Sequence, residues 1–174
     1  MTWLAVALTG HRDLGAADGW VAEELAVGAV RLARQGTTVG ASGMALGADT
    51  LWARAVLDAG MQLHAVVPFE AQADRWKPDQ RAEWRRLRGL AAKETVVGPS
   101  PRDYVRTIAA LHYRNQVLID TAPDGLVAVW DGRQHGGTWQ ALQYAATVGR
   151  DVIWINPVRR RTVRTTATDL VKAE

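Results

Sequence analysis

The sequence predicts an α/β protein, an open Rossmann-like three-layer α/β/α fold around a mostly parallel sheet. Three observations predict it. Short β-rich apolar runs alternate with longer helix-like stretches from one end of the chain to the other, the pattern of strands joined by crossover helices. Several runs are apolar at consecutive positions, as in Ala65-Val66-Val67 and Val152-Ile153-Trp154-Ile155, which suits strands covered on both faces. The 174 residues, 48% hydrophobic and 22% charged, have the size and composition of one globular domain.

The first strand is predicted over residues 3–8, and Val21, Leu25, Ala29 and Leu32 then recur at helical spacing. Strands follow at 37–41, 62–67 and 95–98. A second helical stripe runs through Tyr104, Ile108, Leu111 and Leu118, before strands at 126–130 and 152–156. Residues 1–157 form the predicted domain. After Pro157 arginines and threonines replace the apolar pattern, so residues 158–174 are expected to be a mobile or loosely packed basic tail.

Composition excludes several functions. The chain has no cysteine, hence no disulfide, thiolate nucleophile, Fe–S cluster or cysteine zinc site. No apolar run approaches the roughly 20 residues of a membrane helix. The N-terminus starts on a strand-like segment without a basic leader, so a soluble, cytoplasmic protein is expected. Of 21 basic and 18 acidic residues, five and two fall in 159–174, which leaves 16 of each in the body. Phosphate-driven nucleic-acid binding, which needs a basic face, is therefore expected only from the tail.

In an open parallel sheet, ligands bind beyond the carboxyl ends of the strands, where loops converge and helix N-termini offer unpaired N–H groups. The first strand is followed by Gly10, His11 and Arg12, the second by Ser42, Gly43, Gly47 and Asp49, and the third by Pro68 and Glu70. Gly136-Gly137-Thr138 opens a helix after the fifth strand, a pattern that suits a phosphate or, more plainly, a glycine turn with a threonine cap. Ser42-Gly43 with Gly47 reads equally as a phosphate cradle or a tight strand-to-helix turn. Neither segment has the dinucleotide or P-loop spacing.

Asn115 falls on the stripe of Leu111 and Leu118, so it either ties down a neighbouring loop or contacts a ligand. Arg114 offers a rigid fork for phosphate or carboxylate, or pairs with Asp120 or another acid. His11, Asp49, Asp131 and His135 lack metal-ligand spacing, and no metal site is expected. Trp76 and Trp84, in a polar segment, are read as an arm able to cover a base or a dimer partner.

Taken in order, Thr9-Gly10-His11-Arg12, Gly43-x3-Gly47-x-Asp49, Pro68-Phe69-x2-Gln72-x3-Trp76, Tyr113-Arg114-Asn115-x4-Asp120, and Asp131-Gly132 with Gly136-Gly137-Thr138 resemble the YpsA-like branch of the SLOG superfamily. The resemblance spans residues 3–157. Its relatives include the Lonely Guy hydrolases, the DNA processing protein A family and molybdenum cofactor carriers. It implies a nucleotide or nucleotide-derived ligand, no further cofactor, a phosphate turn at Gly136, Gly137 and Thr138, and a homodimer. Arg114 looks like the arginine that Lonely Guy enzymes use near the ribose. Their motif continues Gly-Thr-x-x-Glu, whereas Ala141 stands at the glutamate's place here. Without that carboxylate a sensor or carrier of a nucleotide is the leading expectation. A phosphoribohydrolase using Arg114 with Asp49 or Glu70 is the alternative, and single-strand nucleic-acid binding through Arg159–Arg164 the second.

Overall fold

The computed structural model describes residues 2–172. Seven strands and six α-helices follow one another as β1 (Ala5–Gly10), α1 (Asp18–Arg34), β2 (Val39–Ser42), α2 (Ala48–Asp58), β3 (Gln62–Val67), α3 (Pro78–Leu90), β4 (Lys93–Val96), α4 (Tyr104–Thr121), β5 (Gly125–Val129), α5 (Gly137–Thr147), β6 (Asp151–Asn156), β7 (Arg161–Thr166) and α6 (Ala167–Lys172). They form one open sheet in the order β4-β3-β2-β1-β5-β6-β7. All neighbours are parallel except β6 and β7. The fold is the predicted Rossmann-like one.

Alternation along the strands divides the core into two layers. Val6, Leu8, Val127 and Val129 face Val21, Leu25 and Trp52 of α1 and α2, and Leu87 of α3. Ala7, Leu126 and Ala128 face Leu118 and Ile119 of α4, Leu142 of α5 and Leu170 of α6. The stripe of α1 is buried at all four predicted positions. That of α4 is not: Leu118 is buried, but Tyr104 is exposed and Ile108 and Leu111 are half-buried. The first turns of α4 stand above the sheet edge as a wall. Asp103 caps them, its carboxylate accepting from the Arg106 N–H at 2.8 Å.

The expected loose tail is corrected by the structure. Residues 161–166 pair antiparallel with β6 from Asp151↔Thr166 to Asn156↔Arg161. The short α6 then seals the layer with buried Ala167 and Leu170. Strand β6 would otherwise leave its outer row of N–H and C=O groups open, and β7 satisfies it.

Candidate nucleic-acid interface

The strand order reverses between β1 and β5, and ligands of open α/β sheets occupy the crevice at that point. A cavity of about 280 Å³ lies there. Its floor is Leu8–Arg12 at the end of β1, and α4 walls it with Ile108, Leu111, His112, Arg114, Asn115 and Leu118. Ala45 and Asp49 close it from the α2 side, Gly137 and Thr138 from the α5 side. The structure thus brings together Gly10, His11, Arg12, Asp49, Arg114, Asn115, Gly137 and Thr138 of the predicted site residues.

Gly136 sits just before α5, exposed beside Gly137. The first N–H groups of α5 have no intrahelical carbonyl to reach, and Gly137 and Thr138 of that turn line the cavity. Asn115 Nδ2 donates to Gly137 O at 3.3 Å, so this asparagine ties α4 to the turn.

Arg114 is the unusual member. Its side chain is 6% exposed and its Nη1 lies 3.3 Å from Asp49 Oδ2, the acid that sequence left unnamed. Its buried Nε has no hydrogen-bond partner among the described residues. Burial pushes the Asp49 carboxyl above its ordinary value, against the pull of Arg114 and of the Ala45 N–H that it accepts. Burial likewise draws Arg114 below its ordinary value, with Asp49 opposing and Arg12 adding repulsion. Two arginines and one carboxylate line the cavity. An incoming anion would therefore relieve the excess of positive charge.

Of the loop after β2, only Ala45 faces this cavity. Ser42 is fully buried, and its Oγ donates to Asp49 O at 2.8 Å while accepting from Met44 N–H at 3.1 Å. Gly43 lies against Arg114, so that a Cβ there would overlap the Arg114 Nη1 atom. Gly47 takes φ +75°, and a Cβ would meet the carbonyls of His11 and Arg12. The predicted cradle is a buttress that positions Asp49 and Arg114 from behind. Pro68 is also outside the cavity, buried at the end of β3. Glu70 points outward, with Arg88 Nη1 donating to Oε2 at 3.1 Å, so it is not available as a carboxylate for chemistry at Arg114.

Opposite Asp49, His11 Nε2 stands 2.9 Å from Asp131 Oδ1 and 3.2 Å from the Asp131 amide nitrogen. Protonated, this nitrogen donates to the carboxylate; unprotonated, it accepts from the amide. Burial lowers the His11 pKa against the pull of Asp131. Among the described residues no group of three or more metal-ligating side chains occurs.

Sequence reading missed the tryptophans that hold the β5 loop. Trp130 stacks on Trp139 at 5.5 Å and its Nε1 donates to Arg133 O at 2.8 Å; Trp154 Nε1 donates to Trp130 O at 2.8 Å. The Trp130–Trp154 contact follows from the β5–β6 pairing and the Trp130–Trp139 stack from the turn between β5 and α5, so spacing gave no signal. The expected Trp76–Trp84 arm is instead packed inward. Trp84 is buried, donates to Gln72 Oε1 at 3.2 Å, and meets Trp76 edge-on at 6.3 Å.

A structure of DNA processing protein A from Streptococcus pneumoniae is similar, with a TM-score of 0.63 and 21% identity over 87% of this chain. This chain spans half (50%) of that protein's length. DNA processing protein A from Helicobacter pylori, whose structure was described for its single-stranded DNA binding mode, matches with TM-score 0.63 and 17% identity, over 97% of this chain and 71% of that one. No curated protein matches. A family profile described as DNA recombination-mediator protein A matches residues 2–174. The chain belongs to the DNA recombination-mediator protein A family, a SLOG-type family.

Proposed function

We propose that this domain binds single-stranded DNA at the β1/β5 switch point. A backbone phosphate sits against the first turn of α5 and the Arg114 guanidinium, and a base lies along Ile108 and Leu111 of α4. The observation that carries this reading is a cavity lined by Arg12 and Arg114 against the single carboxylate Asp49, with Gly137 and Thr138 of the first turn of α5 at its rim. The Helicobacter pylori relative, described for single-stranded DNA binding, supports the choice of a strand over a free nucleotide. The corrected position of residues 159–161 supports it too. β6 runs parallel to β5, so the Arg159-Arg160-Arg161 turn emerges at the same sheet edge as the cavity, roughly 10 Å sideways at two strand spacings. Binding rather than bond cleavage fits the residues: Ala141 is buried in the core, Asp49 is held by Arg114 and Ala45, and Glu70 faces away.

Fluorescence anisotropy with a labelled oligothymidine tests this. Binding is expected to weaken with salt, with a slope of about −0.7 per phosphate contact. It is expected to fall at least about tenfold in Gly137→Asp, whose carboxylate repels the phosphate. Failure of any oligonucleotide to bind, or binding that Gly137→Asp leaves unchanged, would overturn the proposal. Tighter binding of a mononucleotide than of the strand would transfer the site to a nucleotide carrier.

A further inference from the structure

Helix α4 has a second opening on its opposite side. It measures about 630 Å³ and is framed by Pro68 after β3, residues 97–102 after β4, and Arg106, Ala110 and Tyr113 of α4. At about 100° per residue, these three α4 positions share one face, while Ile108, Leu111 and Asn115 look the other way into the first cavity. Both openings sit at the carboxyl edge of the sheet, because β3, β4 and β1 run parallel through β2. One helix diameter, about 10–12 Å with side chains, separates them.

The lining has the chemistry of a strand contact. Tyr113 is 58% exposed. Pro99 and Pro101 fix the backbone of the facing loop. No carboxylate lines the opening. Arg102 makes no ion pair among the described residues, and Arg106 meets only Asp103, at 3.4 Å with both side chains more than half exposed, a pairing that competes weakly with phosphate. An exposed aromatic face between arginines is what single strands use, the ring for a base and the guanidinium groups for the backbone.

We infer that this opening is a second subsite for the same single strand, which crosses α4 so that a base stacks on Tyr113 and a phosphate is held by Arg102 and Arg106. The inference rests on the strand-binding reading of the first cavity and adds the direction of travel, from β5 toward β4. Anisotropy with oligothymidines of about 4 and about 16 nucleotides separates the two. In the double variant Tyr113→Ala/Arg106→Ala, the longer strand is expected to bind about tenfold more weakly with a shallower salt slope, and the shorter to change less than about twofold. A bromouracil-substituted longer strand is expected to photocross-link to the peptide carrying Tyr113. Unchanged long-strand affinity and no cross-link there, with Gly137→Asp still defective, would overturn the second subsite alone. If the unaltered protein binds neither length, both proposals fall.

Discussion

Two glycine-bearing turns at the same sheet edge look alike in sequence and do opposite work. The turn after β2 is buried and closes on itself: Ser42 bonds Asp49 and Met44, Ala45 bonds Asp49, and Gly43 makes room for Arg114. The turn leading into α5 is exposed at Gly136 and Gly137. Glycine in the first admits a side chain from another helix; in the second it permits the φ of +86° at Gly136. Small residues at a strand end therefore mark either close approach or a special backbone angle, and only burial tells which.

Substitutions can break this contrast. The largest stability loss is expected at Gly43→Ala, where the new Cβ displaces Arg114 from Asp49. Disrupting a buried pair costs about 3 kcal/mol, or roughly 6–12 °C in Tm for a chain of this size. Calorimetric unfolding checks it, and an unchanged Tm would show that Arg114 moves aside freely. Ser42→Ala removes one donor and one acceptor from the same knot, for about 2 kcal/mol in urea unfolding. Gly137→Asp lies at the other extreme. The nearest atom to a Cβ there is Asn115 Nδ2 at 3.8 Å, so stability is expected to stay within about 0.5 kcal/mol while oligonucleotide affinity falls.

The smallest effect sharpens the comparison through pH. Burial lowers the pKa of His11 in the folded protein, so above the unfolded value of about 6.5 it is neutral in both states and its full contribution is present. As pH falls through that value the unfolded chain takes up the proton first, and stability declines. Urea unfolding at about pH 7.5 and about pH 5.5 reads this, and His11→Gln is expected to reduce the difference. His64, also lowered by burial and by Lys93, retains its share. Asp131 lies below its ordinary value because the Arg133 amide and His11 outweigh its burial, so its contribution is lost only in acid below about pH 3.8. A pH response equal in the variant would exclude His11.

The layers and the mostly parallel sheet were legible in the sequence, because parallel strands buried on both faces announce themselves as apolar runs. The rule that sites lie beyond strand ends, together with the readings of Arg114 and Asn115, picked out eight of the residues that line the cavity. β4 was expected two residues late. It is a short, mostly exposed edge strand, Lys93–Val96, with little apolar signal. β7 was missed for a related reason: Arg161–Thr166 buries none of its six residues fully, so a hydrophobic pattern has nothing to follow. The Tyr104 stripe misled because α4 outruns the sheet that it packs on. The Arg114–Asp49 contact joins residues 65 positions apart, and no local pattern carries such a pairing. Its consequence, that Ser42 and Gly43 buttress Asp49 and Arg114 from behind, exists only in three dimensions.

The sheet also ends differently from how it is built. One border is the four-residue β4 with Lys93 and Glu94, the other the arginine- and threonine-rich β7, and both discourage another molecule's strand from adding on. Trimming the chain after Asn156 would bare the Val152–Ile155 run as a sticky rim, and self-association into aggregates would follow.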